Sequence, residues 1–373
     1  VCQQQFDIAP LFFGCPACAA GGRKAALVVR YEKAHTIHEL QPATGGISLG
    51  EGRTPLVPVR CWTGAARLLV KNESCNPTWS YKDRAAAVSA TMARLFRRRE
   101  TVAVSTGNLG NSVAAYSSAA SLPCTVFCNS ASPPLQLALM RHFGARVFRG
   151  GNQPELMRRI VLERDAYPAT IVCPLDGAAN PFGIEGFKQI AFEIFEDLKG
   201  VPDRVFVPAG SGDGLFGIAK GFEELKAFGF CAKTPRMIAC QSTGADCYAA
   251  AMRAGSPAPV PVANPKTLAL SIAEHAGGRP ALDAIRRSGG DARAVSDTAI
   301  LAAMTELARE GMALEPASSA AFAVAKTMQD EGRDETWVVI GTGASVKWPA
   351  LLTNGFVMPE ELPANLSDPE RLA

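Results

Sequence analysis

The sequence contains no apolar run near the roughly 20 residues that a membrane-spanning helix needs, so no membrane role is expected. It has no charged-then-apolar leader of the secretory kind at its N-terminus. It has little net charge, with 38 lysines and arginines against 35 aspartates and glutamates, and nothing in that balance points to nucleic acid. There is no short internal repeat, no HxxxH pair, and no glycine loop ending in the Gly-Lys-Ser/Thr of a nucleotide P-loop. What remains is a chain of 373 residues, 47% hydrophobic and 20% charged. That is too apolar to be disordered and long enough for two domains or one large α/β domain.

The 11 cysteines are odd in number and irregularly spaced. Cys124, Cys128, Cys173 and Cys240 lie inside apolar runs, where a thiol behaves as a small hydrophobe. This pattern favours a reducing, cytoplasmic setting. Cys15 and Cys18 form a CxxC with no second CxxC after it; the nearest further candidates are Cys2, His35, His38 and Cys61. A structural zinc site needs about four ligands, so two ordinary thiols are the simpler reading and no metal is assigned; a zinc knuckle is the alternative.

Along the chain, residues 1–50 read as irregular, rich in Gly, Pro and Gln. From Thr101 strand and helix signals alternate: strands at Thr101–Ser105, Cys124–Cys128, Ala145–Phe148 and Thr170–Cys173, with helices at Leu109–Ala120, Leu135–Phe143 and Glu155–Arg164 between them. A second series has strands at Val205–Val207, Met237–Cys240 and Thr336–Ile340, a helix ending near Lys226, and helices at Thr298–Arg309 and Ala320–Asp330. Alternation of this kind indicates βαβ units and parallel sheets. Ser256–Pro265 reads as a surface connection and residues 359–373 as a loosely held tail.

Four segments carry chemistry. In Asn76-Pro77-Thr78-Trp79-Ser80-Tyr81-Lys82-Asp83-Arg84 a turn precedes an alanine-rich helix, with Ser80 as N-cap and Lys82 in the first turn. The helix dipole disfavours a cation there, which a neutral or covalently engaged lysine escapes; a surface lysine beside Asp83 is the plainer alternative. Ser105-Thr106-Gly107-Asn108 joins a strand to a helix and would present N–H groups to an anion. Gly210-Ser211-Gly212-Asp213-Gly214 does the same with glycines that admit a phosphate, although Asp213 should point away from it or cap the helix. Gly341-Thr342-Gly343 places a neutral hydroxyl at a strand end. Glu315-Pro316 reads as an ordinary helix start with proline at its first position.

The order of these segments resembles that of the fold-type II pyridoxal-phosphate enzymes, and within them the threonine synthase branch. Glu51-Gly52-Arg53-Thr54-Pro55-Leu56 is similar to that branch's EGxTPL motif, Ser80–Arg84 to its SFKDR motif, and Gly186-Phe187-Lys188-Gln189-Ile190-Ala191-Phe192-Glu193 to its EGxKxxAFE helix. The resemblance runs from about Glu51 to Pro349. It implies an α/β protein of the tryptophan synthase β-like kind, with two open parallel-sheet domains and the active site in the cleft between them. The large cofactor-binding domain would comprise residues 51–83 and 179–358, and the small mobile domain residues 84–178. It implies pyridoxal phosphate as cofactor, a small amino-acid substrate and a homodimer.

By the same resemblance Lys82 would form the Schiff base and act as acid and base. Asn108 would bond the ring's 3-hydroxyl, and Ser105, Thr106 and Gly107, with Asn108, would hold the substrate. Gly210, Ser211, Gly212, Asp213 and Gly214 would cradle the cofactor phosphate, and Thr342 would face the pyridine nitrogen. A hydroxyl there suits eliminations and replacements better than transamination.

The sequence departs from the branch where the substrate's own phosphate is held. Its usual Asn-Ser-x-Asn-Pro-x-Arg is here Gly177-Ala178-Ala179-Asn180-Pro181-Phe182-Gly183, without the arginine fork. The late TGHGxKD becomes Thr342-Gly343-Ala344-Ser345-Val346-Lys347-Trp348, and Phe182, Phe187 and Trp348 add apolar bulk. The expected activity is elimination or replacement on an L-amino acid with a β- or γ-leaving group. The alternative is a cysteate synthase-like or dehydratase-like enzyme acting on serine, threonine or O-phosphoserine. A non-catalytic cofactor-binding homologue fits less well, since Lys82, Asn108 and the glycine loop are all kept. A dinucleotide-binding enzyme fits less well again, because no acidic residue is placed for a ribose.

Overall fold

In the computed structural model, residues 2–43, 45–170 and 180–353 are described. The chain opens with an extended segment holding one short helix, α1 (Pro16–Ala20), then the antiparallel strands β1 (Leu56–Pro58) and β2 (Arg67–Asn72). Helix α2 (Lys82–Leu95) leads into β3 (Glu100–Val104), α3 (Asn108–Ala119), β4 (Cys124–Cys128), α4 (Pro134–His142), β5 (Arg146–Arg149), α5 (Gln153–Glu163) and β6 (Ala166–Pro168). The second series is α6 (Gly183–Leu198), β7 (Arg204–Pro208), α7 (Asp213–Ala227), β8 (Arg236–Ser242), α8 (Cys247–Arg253), α9 (Arg279–Arg287), β9 (Asp291–Val295), α10 (Asp297–Arg309), α11 (Pro316–Lys326), β10 (Thr336–Gly341) and α12 (Pro349–Leu352).

The strands form two sheets. One has four parallel strands in the order β5-β4-β3-β6; the other has six in the order β1-β2-β10-β7-β8-β9, parallel except for β1. Val338 is the register point of the larger sheet, opposite Leu69 on one side and Val205 on the other. Successive side chains on a strand face opposite ways. Val205, Val207, Val338 and Ile340 therefore pack with Phe187, Ile190 and Phe222 of α6 and α7. Phe206, Trp337 and Val339 pack with Leu307 and Phe322 of α10 and α11 on the other face. With both faces covered, the central strands are apolar throughout rather than alternating. Each such fully buried Val, Ile or Phe contributes about 1.5–3 kcal/mol.

Several strands escape the sequence pattern. β6 ends in Pro168 and so reads as a non-strand, but it lies at a sheet edge, where a missing N–H is tolerated. The strand expected at Thr170–Cys173 falls, beyond Thr170, outside the described residues, as do Gly177–Ala179 and the tail 359–373. β9 alternates charged and small residues because it is an edge of the other, larger sheet. Helix α11 starts at Pro316, earlier than Ala320, and stops at Lys326.

Helices α2, α6 and α7 pack at backbone distance. A Cβ on Gly186 would lie 2.1 Å from the Arg84 carbonyl oxygen, and one on Gly221 2.6 Å from that of Lys188. Among them, Arg84 bonds Glu73 at 2.6 and 2.8 Å and Glu193 at 2.6 and 2.8 Å, and Lys71 reaches Glu193 at 2.8 Å. Burial works against the Glu193 carboxylate, but Arg84 and Lys71 outweigh it and hold its pKa down at about 2. Lys188, in the EGxK-like helix, pairs with Glu185 at 2.6 Å and Glu224 at 2.8 Å and lies 4.0 Å from the Tyr31 ring centroid.

Candidate active site

The loops after β3, β7 and β10 all leave the carboxyl ends of parallel strands, where open α/β sheets bind ligands. They meet around one cavity of about 380 Å³. Lys82, Ser105, Thr106, Gly107, Asn108, Gly210, Ser211, Gly212, Asp213, Gly214 and Thr342 all line it. A second depression, of about 460 Å³, lies between Phe222, Lys226, Pro235 and Arg287 and touches none of these loops.

The Lys82 turn is held from two sides. Trp79 sits at φ 59°, its N–H on the Asn76 carbonyl at 2.8 Å. Asp83 closes the turn by accepting from the Thr78 N–H and hydroxyl. Lys82 is itself the first residue of α2, and Tyr81, not Ser80, takes the N-cap position. The Ser80 hydroxyl still accepts from the Lys82 N–H at 3.3 Å, and it donates to the Thr342 carbonyl at 3.2 Å. Tyr81 N–H reaches the same carbonyl at 2.9 Å. The lysine turn and the Thr342 loop are thus one hydrogen-bonded unit.

Lys82 Nζ lies 5.0 Å from the Tyr81 ring centroid and 5.2 Å from that of Phe187, and these two rings stack at 4.8 Å. Burial pulls the Lys82 pKa down, but Tyr81, Asp213 and Glu274 outweigh it and leave it raised. The Tyr81 phenol and the carboxyls of Asp213 and Glu274, rather than neutrality, therefore offset the dipole misfit of the uncombined lysine. Burial raises the Asp213 carboxyl against the pull of Lys82 and a 3.1 Å bond from Ser211 Oγ. The Glu274 carboxyl, at the rim, is raised as well, first by the protein packed around it and then by Asp213.

At the start of α3, Ser105 Oγ accepts from Gly107 N–H at 3.2 Å and Gly110 N–H at 2.8 Å, so this hydroxyl caps the helix. Thr106 is exposed to the cavity. Asn108 Nδ2 donates to Glu315 at 2.8 Å while its Oδ1 is buried and unpartnered; Asn111 Oδ1 and Gln136 Nε2 close behind are also unpartnered. Buried polar atoms left open in one place mark a site where a polar ligand completes the bonding.

The glycine loop has no room for side chains. Gly212 has φ 92°, and a Cβ there would lie 2.1 Å from the Tyr248 hydroxyl. A Cβ on Gly210 would meet Glu274 at 2.8 Å and one on Gly214 would meet Tyr81 at 2.5 Å. The first N–H groups of α7 have no partner within the helix, and Asp213 and Gly214, which carry two of them, line the cavity.

Sequence reasoning missed Glu315, Glu274, Gln136 and the part played by Trp348. Glu315 is an N-cap residue followed by proline, as expected, but its buried carboxylate is drawn inward. It accepts from Asn108, from Thr342 Oγ1 at 3.2 Å and from Trp348 Nε1 at 3.0 Å. Behind it burial lowers the Lys347 pKa to about 8, against Glu315 and Asp83, and the ammonium donates to the Thr78 carbonyl at 3.0 Å. Phe182 turns away to pack on Phe96 at 5.5 Å. Gly183, where the arginine fork would stand, donates its N–H to Asn180 Oδ1 at 2.7 Å.

A glycine cradle at a helix N-terminus, a lysine in a shared field of acids, and an asparagine with an open carbonyl oxygen together suit an anionic aldehyde cofactor bearing a hydroxylated ring. The comparisons agree. Residues 47–343 match the family described as pyridoxal-phosphate dependent enzyme, and the chain belongs to that family. Its cofactor is pyridoxal phosphate, and it is a threonine synthase-like lyase. It is 35% identical over 337 residues to the threonine synthase of Methanosarcina acetivorans, covering 86% of this chain and 81% of that one. It is 38% identical over 320 residues to that of Methanocaldococcus jannaschii, covering 81% and 77%. Among solved structures, maize serine racemase aligns with a TM-score of 0.70 at 19% identity, over 85% of this chain and 96% of that one. The processed form of threonine deaminase isoform 2 from Solanum lycopersicum aligns with a TM-score of 0.64 at 20% identity, over 82% and 88%. These structures establish the fold-type II architecture. Among the described residues no helix is long and apolar enough to cross a membrane.

Proposed function

We propose that this enzyme carries out elimination or replacement on an L-amino acid whose leaving group is uncharged or singly charged. It would share the chemistry of the threonine synthases but not their recognition of a substrate phosphate. The observation that carries this reading is the charge inventory of the cavity. Among its described lining residues Lys82 is the one cation, against Asp213, Glu274 and Glu315. Among the described residues no guanidinium lines it, and Gly183 stands where the fork is expected. A second dianion beside that of the cofactor would meet carboxyl groups rather than partners.

Lys82 would hold the cofactor covalently, the backbone N–H groups of Ser211 to Gly214 its phosphate, Asn108 its ring hydroxyl, and Thr342 its ring nitrogen. The cofactor, once bound, supplies an electron sink for charge left at the substrate α-carbon. Lys82 Nζ takes the α-proton and returns it, and the raised carboxyls of Asp213 and Glu274 keep its field balanced. The N–H groups at the start of α3, with Thr106, receive the substrate carboxylate. Asn108 and Thr342 both donate to Glu315, so one carboxylate positions the two groups, and the Thr342 hydroxyl would redirect its single proton from Glu315 to the ring nitrogen when the cofactor is bound. A neutral hydroxyl at the ring nitrogen favours reactions in which a departing group removes the charge.

The test is an absorption titration of the cofactor-loaded protein with O-phosphohomoserine, serine, threonine and O-phosphoserine, with phosphate and 2-oxoacid release followed together. Spectral change and turnover with serine or threonine, and silence with both phosphorylated substrates, are expected. The curated relatives are threonine synthases, so phosphate release from O-phosphohomoserine at comparable kcat/KM is the result that would overturn this reading.

A further inference from the structure

The N-terminal segment holds a second cluster of reactive groups, away from the cavity. Cys15 and Cys18 are both buried, and the chain brings Cys2 back to them. Cys2 Sγ lies 3.6 Å from Cys15 Sγ, and the three sulfurs all lie within 4.8 Å of one another. His35, His38 and Cys61, the other sequence candidates, do not join them.

The turn that presents the CxxC is closed by the backbone. Cys15 N–H bonds the Ala25 carbonyl at 2.8 Å, and the Cys18 carbonyl accepts from Gly21 at 3.1 Å and Arg23 at 2.9 Å. Zinc bound tetrahedrally at about 2.3 Å from each sulfur sets sulfurs about 3.8 Å apart. The Cys2–Cys15 edge, at 3.6 Å, is close to that length, and no edge exceeds 4.8 Å. All three are free thiols, so no disulfide uses them. Soft thiolates in a small, closed set select zinc over oxygen-seeking cations.

We propose that Cys2, Cys15 and Cys18 form a zinc site, with three thiolate ligands and a water in the fourth position. Among the described residues no fourth cysteine, histidine or carboxylate joins the cluster, which leaves that position open. Binding forms three Zn–S bonds and releases the three thiol protons to solvent, with no change of oxidation state.

The site closes a loop from Cys2 to Cys15 whose one deeply buried aromatic is Phe12. Phe12 packs edge-on against Tyr167 at 5.0 Å and belongs to the same core cluster as Met157 and Val161 of α5. Met157 and Pro154 of that helix line the cavity. The metal would therefore fasten the segment that supports one wall of the active site.

The test uses the full, cofactor-loaded chain purified under reducing conditions. Metal analysis should find about one zinc per chain. Cys15→Ser and Cys18→Ser should each lower that at least about tenfold, while the exposed Cys61→Ser keeps it. If the buried variants fail to fold, the exposed Cys2→Ser serves, and cobalt supplied to the apo-protein gives a second readout as thiolate-to-cobalt charge-transfer absorption. Equal metal loss in Cys61→Ser, a cobalt spectrum without thiolate bands, or a Cys2–Cys15 disulfide in the peptide map of a metal-free protein would each overturn the proposal.

Discussion

Lys82 and Arg84 are two residues apart on the first turn of the same helix, yet they enter opposite kinds of environment. Arg84 meets a fully paired set: two carboxylates, each bonded twice, and the Thr54 hydroxyl at 3.3 Å. Lys82 meets aromatic faces, and two acids that influence it through space rather than through a close ion pair. The carboxyls respond in opposite senses. Glu193 beside Arg84 is held at about 2, whereas burial pushes Asp213 up. Saturated pairing makes a scaffold, and a cation left with unused valence beside raised acids is ready for chemistry.

The largest test of this contrast exchanges the two roles. Lys82→Ala should remove the visible absorbance of bound cofactor and lower turnover at least about a hundredfold, with the urea midpoint little changed. Arg84→Met should do the reverse, costing about 3–5 kcal/mol of stability because Glu73 is left buried and unpaired. If Lys82→Ala unfolds the protein and Arg84→Met only slows it, the contrast is wrong. Next in size, Gly212→Ala forces a side chain into a left-handed position against Tyr248. It should weaken cofactor retention about tenfold, some 1.4 kcal/mol, as read by dialysis and fluorescence. Glu315→Gln keeps the shape but loses a charged acceptor; a several-fold drop in kcat with a shifted absorption maximum is expected, and an unchanged spectrum would mean Asn108 and Thr342 need no common anchor.

The smallest effect is in pH. A carboxylate whose folded pKa is depressed stabilises the fold above its unfolded value near 4.5 and loses that contribution as pH falls towards about 2. Glu193 should thus supply an acid limb to the stability curve. Asp213 and Glu274 have the opposite sign, costing stability above their ordinary range and relieving it in acid. Glu193→Gln should be less stable at neutral pH and flatter between pH 2 and 4.5, by urea midpoints across that window.

Much of this was legible in the chain. The Ser105–Asn108 loop, the glycine loop and Thr342 follow strands whose apolar runs announce a parallel sheet, so their place at the strand ends could be inferred, and Lys82 stood out through its turn, its place in the first turn of a helix and its motif. Glu315 could not. Its sequence surroundings are those of a helix start, and only the return of the Thr342 loop turns its carboxylate inward. Glu274 sits in an irregular stretch with no periodicity to place it. Cys2 joins Cys15 and Cys18 through a chain reversal that no short-range signal encodes, and β6 and β9 were hidden because edge strands tolerate proline and charge.

The contact of α2, α6 and α7 without intervening side chains also limits what can be altered. A methyl group at Gly186 or Gly221 would have to displace main chain, not a mobile side chain. Attempts to widen the substrate range by repacking beneath the cavity would therefore lose the protein before they changed its selectivity. Diversity, natural or designed, is better placed at the rim, at Thr106 and Ser271, which are exposed where they line the cavity.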